Sequence, residues 1–322
     1  MEVFEKIMPE VITIGESMVM FIAKQGESLE LVSDFSRHLA GAESNVAIGL
    51  ARLGHQTGWI SAIGNDPFGT YICNTISSEG VDTSAVTVSL VHSTGMLVKE
   101  RNDGGDPQVY YYRKDSAAAN FTLEMLQEHY FENGKILHIT GIFPALSPSC
   151  KDALFTAIKL AKKHGLMISF DPNIRLKLWT AQEAKETLLE IAEMSDLILP
   201  GLHEAELLVG TTNWEQVSKF FHEKGNQFVI MKNGADGAYY SIRERDGAIL
   251  EGYEKGFKVE TVVDTVGAGD GFAVGLLSAM REGLSLGEAV RRGNAIGSMA
   301  VMVRGDYDGY PTREQLEAYL AK

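Results

Sequence analysis

Short apolar runs alternate with helix-length amphipathic stretches through the second half of the chain. Residues 136–139, 167–170, 197–199 and 228–231 are such runs, and residues 149–164, 181–194 and 214–224 lie between them as candidate helices. Apolar runs of four or so residues without polar alternation fit strands buried on both faces, and helices between them supply the crossovers that parallel strands need. The pattern predicts an α/β fold with a mostly parallel central sheet and helices on both faces. Ligands of such sheets sit beyond the carboxyl ends of the strands.

The first third reads differently. After Pro9, Val11-Ile12-Thr13-Ile14 followed by Gly15 predicts a buried strand that ends in a turn. Residues 18–22 and 29–35 are short and partly alternating, as expected of strands with one exposed face. A similar group spans 94–113, with the turn-forming stretch 102–107 between Leu97-Val98 and Val109-Tyr110. These segments predict a small separate sheet. No repeat or Pro/Gly/Ser-rich linker divides the chain, so the expectation is one α/β domain over 1–322 carrying a small β lid from about 16–38 and 92–114.

Composition adds mainly exclusions. With 45% hydrophobic and 22% charged residues in 322, a large core can form. The net charge of −14 argues against a nucleic-acid partner, whose phosphates are held by clustered Lys and Arg. Two distant cysteines, Cys73 and Cys150, suggest neither a disulfide framework nor a zinc site and read as small buried apolar residues. Neither a signal peptide nor a stretch long enough to span a bilayer is evident, so a cytoplasmic protein without a membrane partner is expected.

The strongest chemical signal is Asp264-Thr265-Val266-Gly267-Ala268-Gly269-Asp270-Gly271, which opens a helix whose apolar positions Ala273, Leu276, Leu277 and Met280 recur at helical spacing. First-turn amides of a helix lack intrahelical partners and favour anions, and small residues allow a phosphate to approach them. An aspartate placed there repels that anion. General-base work would justify it: Asp270 could take the proton of a hydroxyl attacking a phosphoryl group while the amides of Gly267, Ala268 and Gly269 absorb the developing charge. A lone Asp at a helix start is more simply a cap; within this octapeptide the catalytic reading is preferred.

The octapeptide resembles the second signature of the PfkB carbohydrate kinase family, and Gly41-Ala42-Glu43-Ser44-Asn45-Val46-Ala47 resembles the first, with support from Gly64-Asn65-Asp66-Pro67-Phe68-Gly69. The likeness covers essentially the whole chain in the expected order. It implies a ribokinase-like fold, Asp270 as catalytic base, and the Gly267–Gly269 turn as anion hole. On the nucleotide side, Lys232-Asn233-Gly234-Ala235-Asp236-Gly237 is similar to the family's ATP-contacting turn, which implies contacts from Lys232, Asn233, Gly234 and Gly237, with Asn173 and the turn glycines Gly267 and Gly269 nearby. Neither a Walker A sequence nor a complete G-x-G-x-x-G is found.

ATP chemistry implies Mg²⁺. Where the family carries Asn-x-x-Glu, this chain has Gly201-Leu202-His203-Glu204, so Glu204 is the candidate for indirect Mg²⁺ binding and the Asn is replaced; a solvated residue at a helix start is the equal alternative for Glu204. Members of the family often bind a monovalent cation such as K⁺ beside the position of Asp264.

For the substrate, the resemblance implies contacts from Gly41, Asn45, Tyr111, Arg113, Arg175 and Asp270; a glycine turn with Asn45 as helix cap is the structural alternative at the first pair. Two arginines at one pocket suit a carboxylate, since each guanidinium fork can bind it bidentately. Gly15-Glu16-Ser17-Met18, His138 to Ile142, Tyr111 to Arg113 and Asp171 to Arg175 resemble kinases of the sugar acid 2-keto-3-deoxygluconate more than ribokinase or adenosine kinase. Leu97 departs from them, standing where several carry Tyr. The expected reaction is ATP-dependent phosphorylation of 2-keto-3-deoxygluconate to its 6-phospho product. A fructokinase or other sugar kinase of the family is the alternative, and a non-catalytic nucleotide or sugar sensor a more distant one. The resemblance also implies homo-oligomers formed through the lid sheet.

Overall fold

The computed structural model describes residues 8–24, 28–101 and 108–321. The large sheet is built from β1 (Val11–Ile14), β4 (Thr57–Gly64), β5 (Val86–Ser89), β8 (Ile136–Thr140), β9 (Met167–Asp171), β10 (Leu197–Ile198), β11 (Phe228–Lys232), β12 (Gly237–Arg243) and β13 (Ile249–Lys255). The small sheet takes β2 (Met18–Ala23), β3 (Phe35–Ala40), β6 (Met96–Lys99) and β7 (Val109–Tyr112). The helices are α1 (Ala42–Arg52), α2 (Pro67–Ser78), α3 (Pro148–Lys163), α4 (Ala181–Glu193), α5 (Leu202–Val209), α6 (Trp214–Lys224), α7 (Ala268–Arg281), α8 (Leu286–Ala300) and α9 (Arg313–Leu320).

The strand order of the large sheet is β13-β12-β11-β10-β9-β8-β1-β4-β5. Pairings from β11 through β5 are parallel, while β12 and β13 add an antiparallel edge. Alternate residues of each central strand point into different cores. Val11, Leu197 and Ile230 join the core under α1, α7 and α8, whereas Ile12, Ile198 and Val229 join the core under α3, α4, α5 and α6. This double burial explains why these strands read as continuous apolar runs.

Packing also aims the site. Trp59 of β4 is fully buried, an arrangement that contributes on the order of 2–3 kcal/mol for a large side chain. Its Nε1 donates to the Gly15 carbonyl over 3.2 Å and fixes the turn after β1. Helix α7 packs closely on α8; a Cβ at Gly275 would stand 2.5 Å from the Arg292 carbonyl oxygen, so only glycine permits this approach.

In the small sheet β2 pairs antiparallel with β3 and parallel with β6, and β6 pairs antiparallel with β7. The separate sheet is present, but its second segment lies at Phe35–Ala40 rather than at 29–35. Leu31, inside the expected segment, is 71% exposed, whereas Leu39 and Ala40 are buried. The hairpin turn expected at 102–107 lies outside the described residues. Cys150 is buried as expected, but Cys73 is only half-buried. Among the described residues, no helix is long and apolar enough to cross a membrane.

Candidate active site

Five neighbouring parallel strands, β1, β8, β9, β10 and β11, end at the same edge of the large sheet. Gly15, Gly141, Asp171, Gly201 and Lys232 stand at or just past those ends. The start of α7 meets the same edge, because Lys232 Nζ lies 3.7 Å from where a Cβ on Gly269 would be. A lysine ammonium therefore stands beside the glycine turn.

Gly267 caps α7 in the left-handed region, with φ of 79°. A Cβ there would stand 1.8 Å from the Asp306 carbonyl oxygen, and the Tyr310 hydroxyl donates to the Gly267 carbonyl over 2.6 Å. The turn is thus held from behind by the 301–311 connection between α8 and α9. Its Gly269 and Asp270 amides fall in the first helical turn, where no intrahelical carbonyl can reach them. Such amides can bind an anion.

Asp270 is buried in that first turn. Asn45 Nδ2 donates to its Oδ2 over 2.9 Å across 225 residues of sequence, and Asn173 Nδ2 lies 3.5 Å from its Oδ1. Burial pushes the Asp270 carboxyl up to about 6; the Asn45 hydrogen bond opposes this, Asp171 adds to it, and Arg175 and Lys232 oppose it. A carboxylate so poised can take a proton near neutral pH. Asn45 is therefore not a helix cap, since Gly41 occupies that position and Asn45 lies within α1. Asn173 adopts φ of 38°, a left-handed conformation that asparagine tolerates better than most residues.

Lys232 Nζ donates to Asp171 Oδ2 over 2.6 Å. Burial alone would lower the lysine, but Asp171 and Glu204 outweigh it and hold it above its ordinary value. Glu204 accepts the Gly201 amide at 2.7 Å and the Ile174 amide at 3.0 Å; burial raises its carboxyl while Lys232 opposes the rise. Each carboxylate oxygen keeps a further lone pair, so Glu204 suits a water-mediated hold on a hard cation. Asn233, Gly234 and Gly237 form the turn between β11 and β12, where the Asn233 amide donates to the Gly237 carbonyl over 2.8 Å. Gly234 and Gly237 have φ of 56° and 127°.

At the substrate side, a Cβ on Gly41 would come within 2.7 Å of the Glu16 carbonyl oxygen and of Ser44 Oγ. Tyr111 is partly exposed, with the Arg113 guanidinium carbon 5.8 Å and Lys177 Nζ 5.9 Å from its ring centroid. Arg113 directly follows β7. Its Nε donates to Glu16 Oε2 over 2.6 Å, and Ser116 Oγ donates to Glu16 Oε1 over 2.5 Å. Arg175 is exposed and close enough to Asp270 to lower its carboxyl.

Asp264 is already paired with an ammonium. Its Oδ2 accepts Lys99 Nζ at 2.7 Å and its Oδ1 accepts the Val266 amide at 3.2 Å. The residues here fit a bound ammonium better than a metal ion.

Several participants carried no assigned role in the sequence reading. Glu16 and Asp171 stood inside quoted motifs, as did Glu43, a buried carboxyl that accepts the Thr140 hydroxyl at 2.6 Å and that burial pushes up to about 7. Lys99, Asp306 and Tyr310 stood in none.

The family model for pfkB family carbohydrate kinases matches residues 8–313. The chain is 46% identical over 314 residues to 2-dehydro-3-deoxygluconokinase of Bacillus subtilis (strain 168), covering 97% of this chain and 95% of that one. It is 32% identical to the Arabidopsis thaliana protein named "Probable fructokinase-6, chloroplastic", over 98% of this chain and 83% of the relative. Among solved structures, a "Ribokinase II" from E. coli in complex with ATP and Mg²⁺ superposes with a TM-score of 0.89 at 28% identity, over 97% of this chain and 99% of that one. The chain belongs to the pfkB family of carbohydrate kinases, and its fold is ribokinase-like.

Proposed function

We propose that this kinase transfers the γ-phosphoryl group of ATP to the primary hydroxyl of 2-keto-3-deoxygluconate, giving the 6-phospho sugar acid and ADP. The observation that carries the mechanism is the buried Asp270 carboxylate in the first turn of α7, held by Asn45 and flanked by free-ended amides and Lys232. Asp270 takes the hydroxyl proton as the oxygen attacks the γ-phosphorus, and the bond to the bridging oxygen of ADP breaks. The Gly267–Gly269 turn offers amides to the charge on the transferred group. Lys232 adds a cation on the phosphate side, and the β11–β12 turn with Asn233, Gly234 and Gly237 holds the nucleotide beside Asn173. Mg²⁺, when bound, neutralises phosphate charge; Glu204 would hold it through water.

Substrate choice rests on the sugar-acid kinase of B. subtilis and on the arginines. Arg175 is exposed and has no ion-pair partner among the described residues, which suits it to meet a carboxylate, while Arg113 is oriented by Glu16 so that one edge of its guanidinium is already engaged. Gly41, where the Glu16 carbonyl and Ser44 Oγ leave no room for a Cβ, would meet the sugar through its backbone. The small sheet, whose β7 delivers Tyr111 to this pocket, closes over the substrate as a lid and keeps water from the γ-phosphate. A fructokinase reading is the specific alternative, because Glu16 neutralises much of the Arg113 charge.

The test is coupled ADP release with Mg-ATP on 2-keto-3-deoxygluconate, its galactonate epimer, fructose and ribose. Preference for the ketodeoxy acids supports the proposal. Preference for fructose or ribose rejects the substrate, and no turnover with any favours the sensor reading.

A further inference from the structure

Behind the anion-hole turn lies a second cluster of charge. Lys99 of β6 reaches Asp264, just ahead of α7, and both side chains are nearly buried, at 6% and 10% exposure. Asp306, in the 301–311 connection, is buried too, and among the described residues its Oδ1 finds no hydrogen-bond partner. Its backbone carbonyl presses on Gly267, so cluster and turn are in direct contact. Burial pushes the Asp306 carboxyl up to about 7; Lys99 opposes the rise, whereas Asp270, Asp264 and Asp308 add to it.

Carboxylates in this position work against the turn. Asp264 and Asp306, when ionised, place negative charge behind amides that must present a positive field to a phosphate, and in a buried setting that field is weakly screened. A cation seated among them restores it. The Lys99 ammonium is 2.7 Å from Asp264, and its charge also acts on Asp306, whose carboxyl it lowers. It is delivered by the small sheet, so the ion pair also ties that sheet to the phosphate turn.

We propose that Lys99 is the built-in cation of the anion-hole turn, and that the enzyme consequently needs no monovalent metal ion beside Asp264. The proposal rests on the phosphotransfer reading of that turn. It predicts a property that the reading alone does not: potassium is dispensable here because a lysine holds its place.

Melting temperature and turnover of the intact protein, measured in potassium chloride and in choline chloride at equal ionic strength, test this for the natural chain, Lys99→Arg and Lys99→Met. The natural chain and Lys99→Arg are expected to melt and turn over alike in both salts. Lys99→Met is expected to lose turnover by roughly tenfold or more in choline and to regain part of it, with a higher melting temperature, in potassium. A natural chain whose melting temperature rises and whose turnover increases several-fold on replacing choline by potassium would overturn the proposal, as would a Lys99→Met variant indistinguishable from it in choline. The melting arm reads the cation site even if the sugars supplied are not substrates, which separates failure of this inference from failure of the kinase reading.

Discussion

Replacing Asp270 by Asn should stabilise the fold at alkaline pH and much less at acidic pH. The carboxyl moves from an ordinary 3.8 to about 6 on folding, mainly through burial. A carboxylate whose folded value is raised is penalised when ionised: stability falls as pH rises from about 4 to about 6, and the penalty is complete above that window. With one unit equal to about 1.4 kcal/mol, the penalty is about 3 kcal/mol at pH 8 and about 1 kcal/mol at pH 4.5. Asparagine is neutral at both. It also accepts a weaker hydrogen bond from Asn45, a loss of about 1 kcal/mol that lowers the gain. The difference between the two pH values, about 2 kcal/mol, therefore comes from the titration of Asp270 itself. Urea denaturation of the natural chain and Asp270→Asn at pH 8 and pH 4.5 measures it. Equal stability differences at the two pH values, or a variant less stable at pH 8 than at pH 4.5 relative to the natural chain, would refute a burial-strained Asp270.

Three further outcomes are expected. The pH profile of kcat/KM should bend downward below about pH 6, losing about tenfold per unit, because the protonated Asp270 cannot act as base; a flat profile down to pH 5 would contradict this. Arg175→Ala should raise KM for ketodeoxy acids by roughly 10-fold or more while changing KM for neutral sugars little, and an equal loss on both would reassign Arg175 away from the carboxylate. Glu16→Gln should release Arg113 from its partner and raise KM for the acid by several-fold with a smaller effect on KM for ATP, as read from initial rates with each substrate varied.

Most of the large sheet was legible because its strands are buried on both faces. Runs such as Phe228–Lys232 have no reason to alternate, and the helices between them carry one apolar stripe each. β3 was not, since Phe35-Ser36-Arg37-His38-Leu39-Ala40 buries only its last two residues and looks like loop. The α7 turn was legible from local spacing alone. What spacing could not reveal are contacts closed by the fold: Glu16 meets Arg113 across 97 residues, and Lys99 meets Asp264 across 165. Tyr310 and Asp306 lie in an irregular connection where neither period gives a signal, yet they back the anion-hole turn.

The most direct test of the central claim compares Asp270→Asn with the natural chain in two measurements, kcat with saturating Mg-ATP and 2-keto-3-deoxygluconate, and calorimetric affinity for Mg-ATP. A base in the first turn of α7 predicts kcat lowered by at least roughly 10²-fold with nucleotide affinity nearly unchanged. Turnover within a few-fold of the natural chain would show that Asp270 is not the base.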